Sequence, residues 1–332
     1  MVAQHDVRDS LDSLAARGGE LTPNPTGFVG LARKTRLVLN FKQIPYSTSY
    51  LSYPDIKAAL ESDRFPSSGL LSKGGKGPWT LPAVCPPTSD AGADTAKEKC
   101  PALNESFAIA LALDERFPSA DGRQVFPDRP SMAFARVVQG LFDAGITMKG
   151  CVRLASYLAQ DSDASSLLAD SLPIHASASS LTLWVRYIPS HLLDDRGAAY
   201  FTRTREERFG KPLDEVGTPD DRSADLAALI EALKPITWAL DAAAKKSGQD
   251  SSSSPYLMGG ELPTYADLIV LGFLAWAHRA EVAAGEAIEP QGGWFGPLLD
   301  ADGGGLGRLW KAGRALVEGQ GLGVVEWKAG TD

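Results

Sequence analysis

Two short motifs in the first half of the chain stand out by residue type and place, one inside a strand and one at a helix start. Leu81-Pro82 sits inside the short run TLPAV, residues 80–84. That run reads as a strand, and a proline within a strand is confined to an edge, a bulge or a cis bond. Glu105-Ser106 stands immediately before a helical pattern with Phe107, Ala110 and Leu113 on one face. The serine is the expected N-cap of that helix. A helix start presents unpaired N–H groups and partial positive charge, which suits a carboxylate. Each pair also has a plain structural reading: a strand-edge proline without a ligand, and a capping serine beside an exposed glutamate.

Other polar patterns point to structure rather than chemistry. Thr264 and Asp267 form an N-capping box at the head of an apolar run, with Asp standing where Glu or Gln often does. Arg203, Arg205, Glu206, Glu207 and Arg208 read as a solvated helix face with pairs three and four apart. His5, His175, His191 and His278 lack metal-ligand spacing, and three cysteines without a CxxC pair argue against zinc or a dithiol redox site. The run Gly303-Gly304-Gly305 reads as a flexible C-terminal loop. No metal site is expected.

The elements that must position these motifs follow from periodicity and punctuation. Residues 2–7 match a short strand, and residues 32–42, ARKTRLVLNFK, match a helix ended by Gln43-Ile44-Pro45. Tyr46 to Tyr53 is strand-like, and a short helix follows over 55–61. The strand with Leu81-Pro82 precedes a polar insertion over 86–99, then comes a minimal strand at 101–104 and the helix after Glu105. Beyond Asp128 helical periodicity dominates. Leu226, Leu229, Ile230 and Leu233 share one helix face, and Pro235 is expected to kink or end that helix.

Five segments in this order resemble the fungal glutathione transferases related to bacterial beta-etherases. They are KTRLVLNFKQIPYSTSYLSYPDI (34–56), PWTLPAV (78–84), NESFAIALALDERFP (104–118), YFTRTREERFGKPLDE (200–215) and LMGGELPTYADLIVLGFLAW (257–276). The last is similar to the superfamily's C-terminal capping motif. The resemblance implies an α/β thioredoxin-like N-terminal domain over residues 1–128, whose first 30 residues are atypical. It implies an all-helical C-terminal domain over 129–332, lining a substrate cleft.

The resemblance also implies glutathione as the co-substrate, a hydrophobic electrophile as its partner, and a homodimer. In the family the proline matching Pro82 is cis, and the residue before it, here Leu81, pairs through its backbone with the cysteinyl unit of glutathione. The serine matching Ser106 takes the gamma-glutamyl carboxylate, and the acid matching Glu105 takes the amino group. Two other roles stay open. One is a specialised glutathione-assisted isomerase, etherase or cyclising enzyme of fungal secondary metabolism. The other is a GST-like binding or regulatory protein without chemistry.

The thiol-activating donor is where the resemblance departs. Related proteins carry Ser-Pro-Asn shortly before Lys-Thr-Arg, whereas ungapped alignment on Lys34-Thr35-Arg36 puts Val29 at the serine. Valine cannot donate to sulfur. Thr22-Pro23-Asn24 is either the displaced counterpart, with Thr22 and Asn24 as catalytic donors, or part of an enlarged loop.

Length and composition agree with two ordinary globular domains. The 332 residues are 44% hydrophobic and 22% charged. A net charge of -8 runs against a nucleic-acid partner, which would favour a basic stripe. The longest apolar run, 268–277, is too short to span a membrane, and the acidic start is unlike a secretory signal. A cytoplasmic location is expected.

Overall fold

The computed structural model describes residues 32–61, 81–84, 103–119, 121–143, 185–216, 218, 222–246, 254–285, 292–319 and 323–327. The expected strand at 2–7 lies outside them.

Helix α1 (Ala32–Lys42) buries Leu37, Val38 and Phe41 as its period requires, but it also buries Lys34, Thr35, Asn40 and Lys42. Strand β1 (Tyr46–Tyr50) follows, then a 3-10 turn (Tyr53–Asp55) and helix α2 (Ile56–Glu61). Strand β2 (Ala83–Val84) pairs antiparallel with β3 (Leu103–Asn104), which leads into helix α3 (Ser106–Arg116).

Helix α4 (Arg129–Leu141) starts at a reciprocal cap. Ser131 N–H donates to Asp128 Oδ1 at 2.7 Å, and Asp128 N–H donates to Ser131 Oγ at 3.2 Å. With Pro130 in the first turn, Asp128-Arg129-Pro130 is a helix start written in sequence. Helices α5 (Ile188–Leu192), α6 (Asp195–Phe209), α7 (Arg222–Lys246), α8 (Tyr265–Ala284) and α9 (Phe295–Glu318) complete the described helical part.

Helix α8 is the axis of the molecule. It packs against α1, α4, α5 and α9, and Leu268, Val270, Leu271, Leu274 and Ala277 are fully buried. Its first half, apolar on all sides, is enclosed on all sides from Tyr265 to Ala275. Its capping box is present as expected. Thr264 N–H and Oγ1 donate to Asp267 Oδ2 at 2.8 and 2.9 Å, and Leu257 N–H donates to Oδ1 at 2.7 Å.

Contacts knit the two halves at several points. Lys34 Nζ donates to Gln139 Oε1 at 2.8 Å, joining α1 to α4. Arg196 forms two bonds with the Asp55 carboxylate, at 2.8 and 3.1 Å, and Tyr53 stacks on Tyr200 with centroids 5.9 Å apart.

Four expectations need correction. Of the two outcomes expected at Pro235, a kink or an end, the end is ruled out: α7 runs through it. Leu229 and Leu233 before the proline and Ile236 and Leu240 after it are all buried, and that packing offsets a proline cost of about 3 kcal/mol. Secondly, the charged block on α6 is not merely a solvated face. The Arg205 guanidinium lies 4.4 Å from the Phe201 ring centroid, and Glu206 Oε1 accepts the Leu213 N–H at 3.1 Å.

Third, residues 303–305 do not form a loose loop but sit at an anchored kink inside α9. Gly303 and Gly304 adopt φ of +82° and +73°, which glycine tolerates without steric cost. Thr237 Oγ1 donates to Asp302 Oδ2 at 3.1 Å, and Arg308 donates to Gly303 O at 2.8 Å and Asp241 Oδ1 at 2.6 Å. These bonds hold the kink on α7. Finally, the all-helical expectation fails at the end of the chain. Strand β4 (Gly323–Trp327) pairs in parallel with β1, Tyr46 opposite Gly323 and Tyr50 opposite Trp327. Two valines and a tryptophan suit a strand, and five residues are too few for a period to declare itself.

Candidate functional site

The pairing of β2 with β3 brings the two ligand motifs together. Ala83 lies opposite Asn104 and Val84 opposite Leu103. Pro82 precedes β2 and Glu105 follows β3, so the two motifs lie at the same end of this pair. The Leu81–Pro82 peptide is cis.

At the start of α3 the structure corrects one sequence reading. The N-cap is Glu105, and Ser106 is the first helical residue. Glu105 Oε1 and Oε2 accept the N–H groups of Phe107 and Ala108, each at 3.0 Å. A φ of +80° swings the acid over its own helix start. That backbone region is uncommon for a side-chain-bearing residue and costs on the order of 1–3 kcal/mol, a kind of strain that clusters at functional sites.

Ser106 is buried beneath this cap, beside the phenol of Tyr265, the first residue of α8. The Tyr265 ring is edge-on to Phe107 with centroids 5.2 Å apart and lies 5.2 Å from Phe126. Its backbone N–H donates to Val125 O at 2.9 Å. The hydroxyl, fully buried, has no partner in bonding geometry, although Ser106 is near enough to favour the ionised phenol slightly. Burial is the larger influence and pushes the phenol well above its usual pKa, so Tyr265 stays protonated at any working pH. From α4, the Arg136 guanidinium sits 3.5 Å over the centroid of Phe107. A carboxylate, two hydroxyls and a guanidinium thus converge on one helix start.

The chain is 32% identical over 288 residues to the glutathione S-transferase-like protein ustS of Aspergillus flavus, an overlap covering 87% of this chain and 84% of that protein. The chain belongs to the glutathione S-transferase family. A family model described as "Glutathione S-transferase, C-terminal domain" matches residues 171–312 of this family member. Its fold is that of glutathione transferase GSTFuA3 from Phanerochaete chrysosporium, at 25% identity and a TM-score of 0.60 over 89% of this chain and 93% of that one. It is also that of CsGST63524 from Ceriporiopsis subvermispora, solved in complex with glutathione, at 22% identity and a TM-score of 0.59 over 86% and 89%.

In this glutathione S-transferase family member, Leu81-Pro82 and Glu105-Ser106 flank the same end of the β2–β3 pair. Thr22 and Asn24, and with them Val29, lie outside the described residues. Sequence reasoning missed Tyr265 and Arg136. Tyr265 stands inside the capping box, but a cap explains only its neighbours Thr264 and Asp267. Arg136 carried no local signal.

Two further features bound the chemistry. A cavity of about 230 Å³ between α1, α8 and α9 is lined by Arg33, Arg36, Asn40, Arg279 and Glu318 among others. That polar lining does not suit an apolar substrate. His278 packs between Phe295 and Trp310, and burial lowers its pKa. Among the described residues no cluster of three metal-ligating side chains occurs, and no helix is long and apolar enough to cross a membrane.

Proposed function

We propose that the protein is a glutathione-dependent transferase acting on a hydrophobic electrophile. On this reading residues 1–128 form a thioredoxin-like, glutathione-binding domain, and residues 129–332 line the cleft for the second substrate. The observation that carries it is the antiparallel pairing of β2 with β3, which leaves Leu81-Pro82 and Glu105-Ser106 at the same end of the pair. Leu81 offers backbone groups to the cysteinyl unit in the manner of an added strand. Ser106 donates to the gamma-glutamyl carboxylate, and Glu105 accepts from the amino group while still capping its helix.

The residues fit such a ligand. A buried hydroxyl without a partner, at Tyr265, marks a polar wall that an apolar filling would leave unsatisfied. Bound glutathione supplies the sulfur nucleophile. Thr22 and Asn24 are its proposed donors, and two copies of the chain form a homodimer, as the family membership suggests. Light scattering that gave the mass of one 35.3 kDa chain at micromolar concentration would overturn the dimer.

Calorimetric titration with glutathione tests the reading. Wild type should bind, and Ser106→Ala should lose roughly 1.5–3 kcal/mol, the contribution of a charge-assisted hydrogen bond. Equal affinities would remove Ser106 from the site, and no binding by wild type would remove the reading. Product analysis with a generic electrophile separates conjugation from isomerisation, ether cleavage or cyclisation.

A further inference from the structure

We infer that Tyr265 is a positioning residue for glutathione: its hydroxyl donates to Ser106 Oγ and holds that hydroxyl in the rotamer that faces the ligand's carboxylate. The inference rests on the proposed function and adds a residue from the helical half of the chain to the site.

The first observation is an orphaned group. The Tyr265 hydroxyl is fully buried and, with Ser106 beside it, makes no hydrogen bond in good geometry. Buried polar groups are paired in the great majority of cases, and an unpaired one calls for a reason. Phenylalanine would fill the same space between Phe107 and Phe126 without that cost. The hydroxyl is therefore not there for packing.

The second observation is rigidity. Tyr265 is held at its backbone by Val125 O, at its ring by Phe107 and Phe126, and at its helix start by the bonds between Thr264 and Asp267. A side chain fixed on three sides can fix another. Ser106 is the hydroxyl beside it, on the helix start already assigned to the carboxylate.

The chemistry of the pair is directional. A serine hydroxyl has one proton to give and two lone pairs. When Ser106 gives its proton to a carboxylate, a lone pair remains for the Tyr265 O–H. A phenol pushed above its usual pKa by burial remains a donor throughout the neutral range. The bonds then run in one direction, Tyr265 to Ser106 to carboxylate, and each polarises the next.

A double-mutant cycle on the full chain tests this, with glutathione titrated calorimetrically and thermal midpoints recorded alongside. Tyr265→Phe should weaken glutathione about three- to tenfold, the range of one neutral hydrogen bond, with a midpoint equal to or above wild type. In the Ser106→Ala background the same change should have no further effect on affinity. Full wild-type affinity in Tyr265→Phe, a lowered midpoint accompanying the loss, or additive losses in the double variant would each overturn the relay. All three leave the function intact, because Ser106→Ala would still weaken binding. Absence of glutathione binding by wild type would instead remove the proposed function, and the relay with it.

Discussion

Lys42 Nζ lies 2.7 Å from Asp114 Oδ1, and neither side chain is more than 10% exposed. The pair joins the end of α1 to α3, and the same carboxylate accepts the N–H groups of Val125 and Phe126 at 3.1 and 3.0 Å. Lys42 also donates to Arg123 O at 3.2 Å. One buried ion pair therefore ties α1, α3 and the segment leading to α4, and its remaining hydrogen-bonding capacity is used on backbone. Removing one partner would strand the other charge away from water.

Asp114→Ala should accordingly lower stability by about 3–5 kcal/mol, the scale for breaking a buried pair. Asp114→Asn keeps one acceptor oxygen, enough for Val125 and Lys42, but loses the charge and the acceptor for Phe126, and should fall between wild type and alanine. Urea unfolding midpoints at pH 7 check the order. Loss of less than about 1 kcal/mol in the alanine variant, the scale of an exposed pair, would contradict the account.

Asp267 makes a pH-dependent prediction. Burial, the largest influence, pushes its pKa from 3.8 to about 6, against the hydrogen bonds from Leu257 and Thr264. The folded pKa lies above the unfolded one, so folding takes up a proton in this window. The contribution is complete below about pH 4 and is lost as pH rises through about 6. The stability advantage of wild type over Asp267→Asn should thus shrink between pH 4 and pH 7. Denaturation midpoints that differ by a constant amount across the window would contradict the shift.

The sequence made some of this legible and hid the rest for physical reasons. Helix α1, the Thr264–Asp267 box and the buried run of α8 are local patterns, complete within a few residues. Each was readable. The anchored kink at Gly303-Gly304 depends on Thr237, Asp241 and Arg308, which no window containing the glycines includes. The passage of α7 through Pro235 depends on packing that outweighs a local penalty.

The candidate site divides in the same way. Glu105-Ser106 and Leu81-Pro82 were visible as motifs. The capping role passed from Ser106 to Glu105 because a positive φ redirects the acid, and a sequence does not declare a backbone angle at a residue other than glycine. Tyr265 meets Ser106 only because the first residue of α8 reaches the first turn of α3, so residue type gave no hint of it.

The donor for the thiol gives a third prediction. If Thr22 or Asn24 aims a donor at the sulfur, Thr22→Ala or Asn24→Ala should raise the pKa of bound glutathione and slow turnover at neutral pH. The account expects that rise in at least one of the two. Thiolate absorbance titrated against pH in the bound state reads it directly. An identical thiol pKa in wild type and both variants would show that neither residue is the donor.

The central claim is that glutathione lies across Leu81-Pro82 and Glu105-Ser106. A crystal structure of the protein soaked with glutathione tests it most directly. The account predicts the gamma-glutamyl carboxylate within about 3.2 Å of Ser106 Oγ, and the cysteinyl backbone paired with Leu81. Glutathione bound elsewhere, or bound here without touching Ser106, would contradict it.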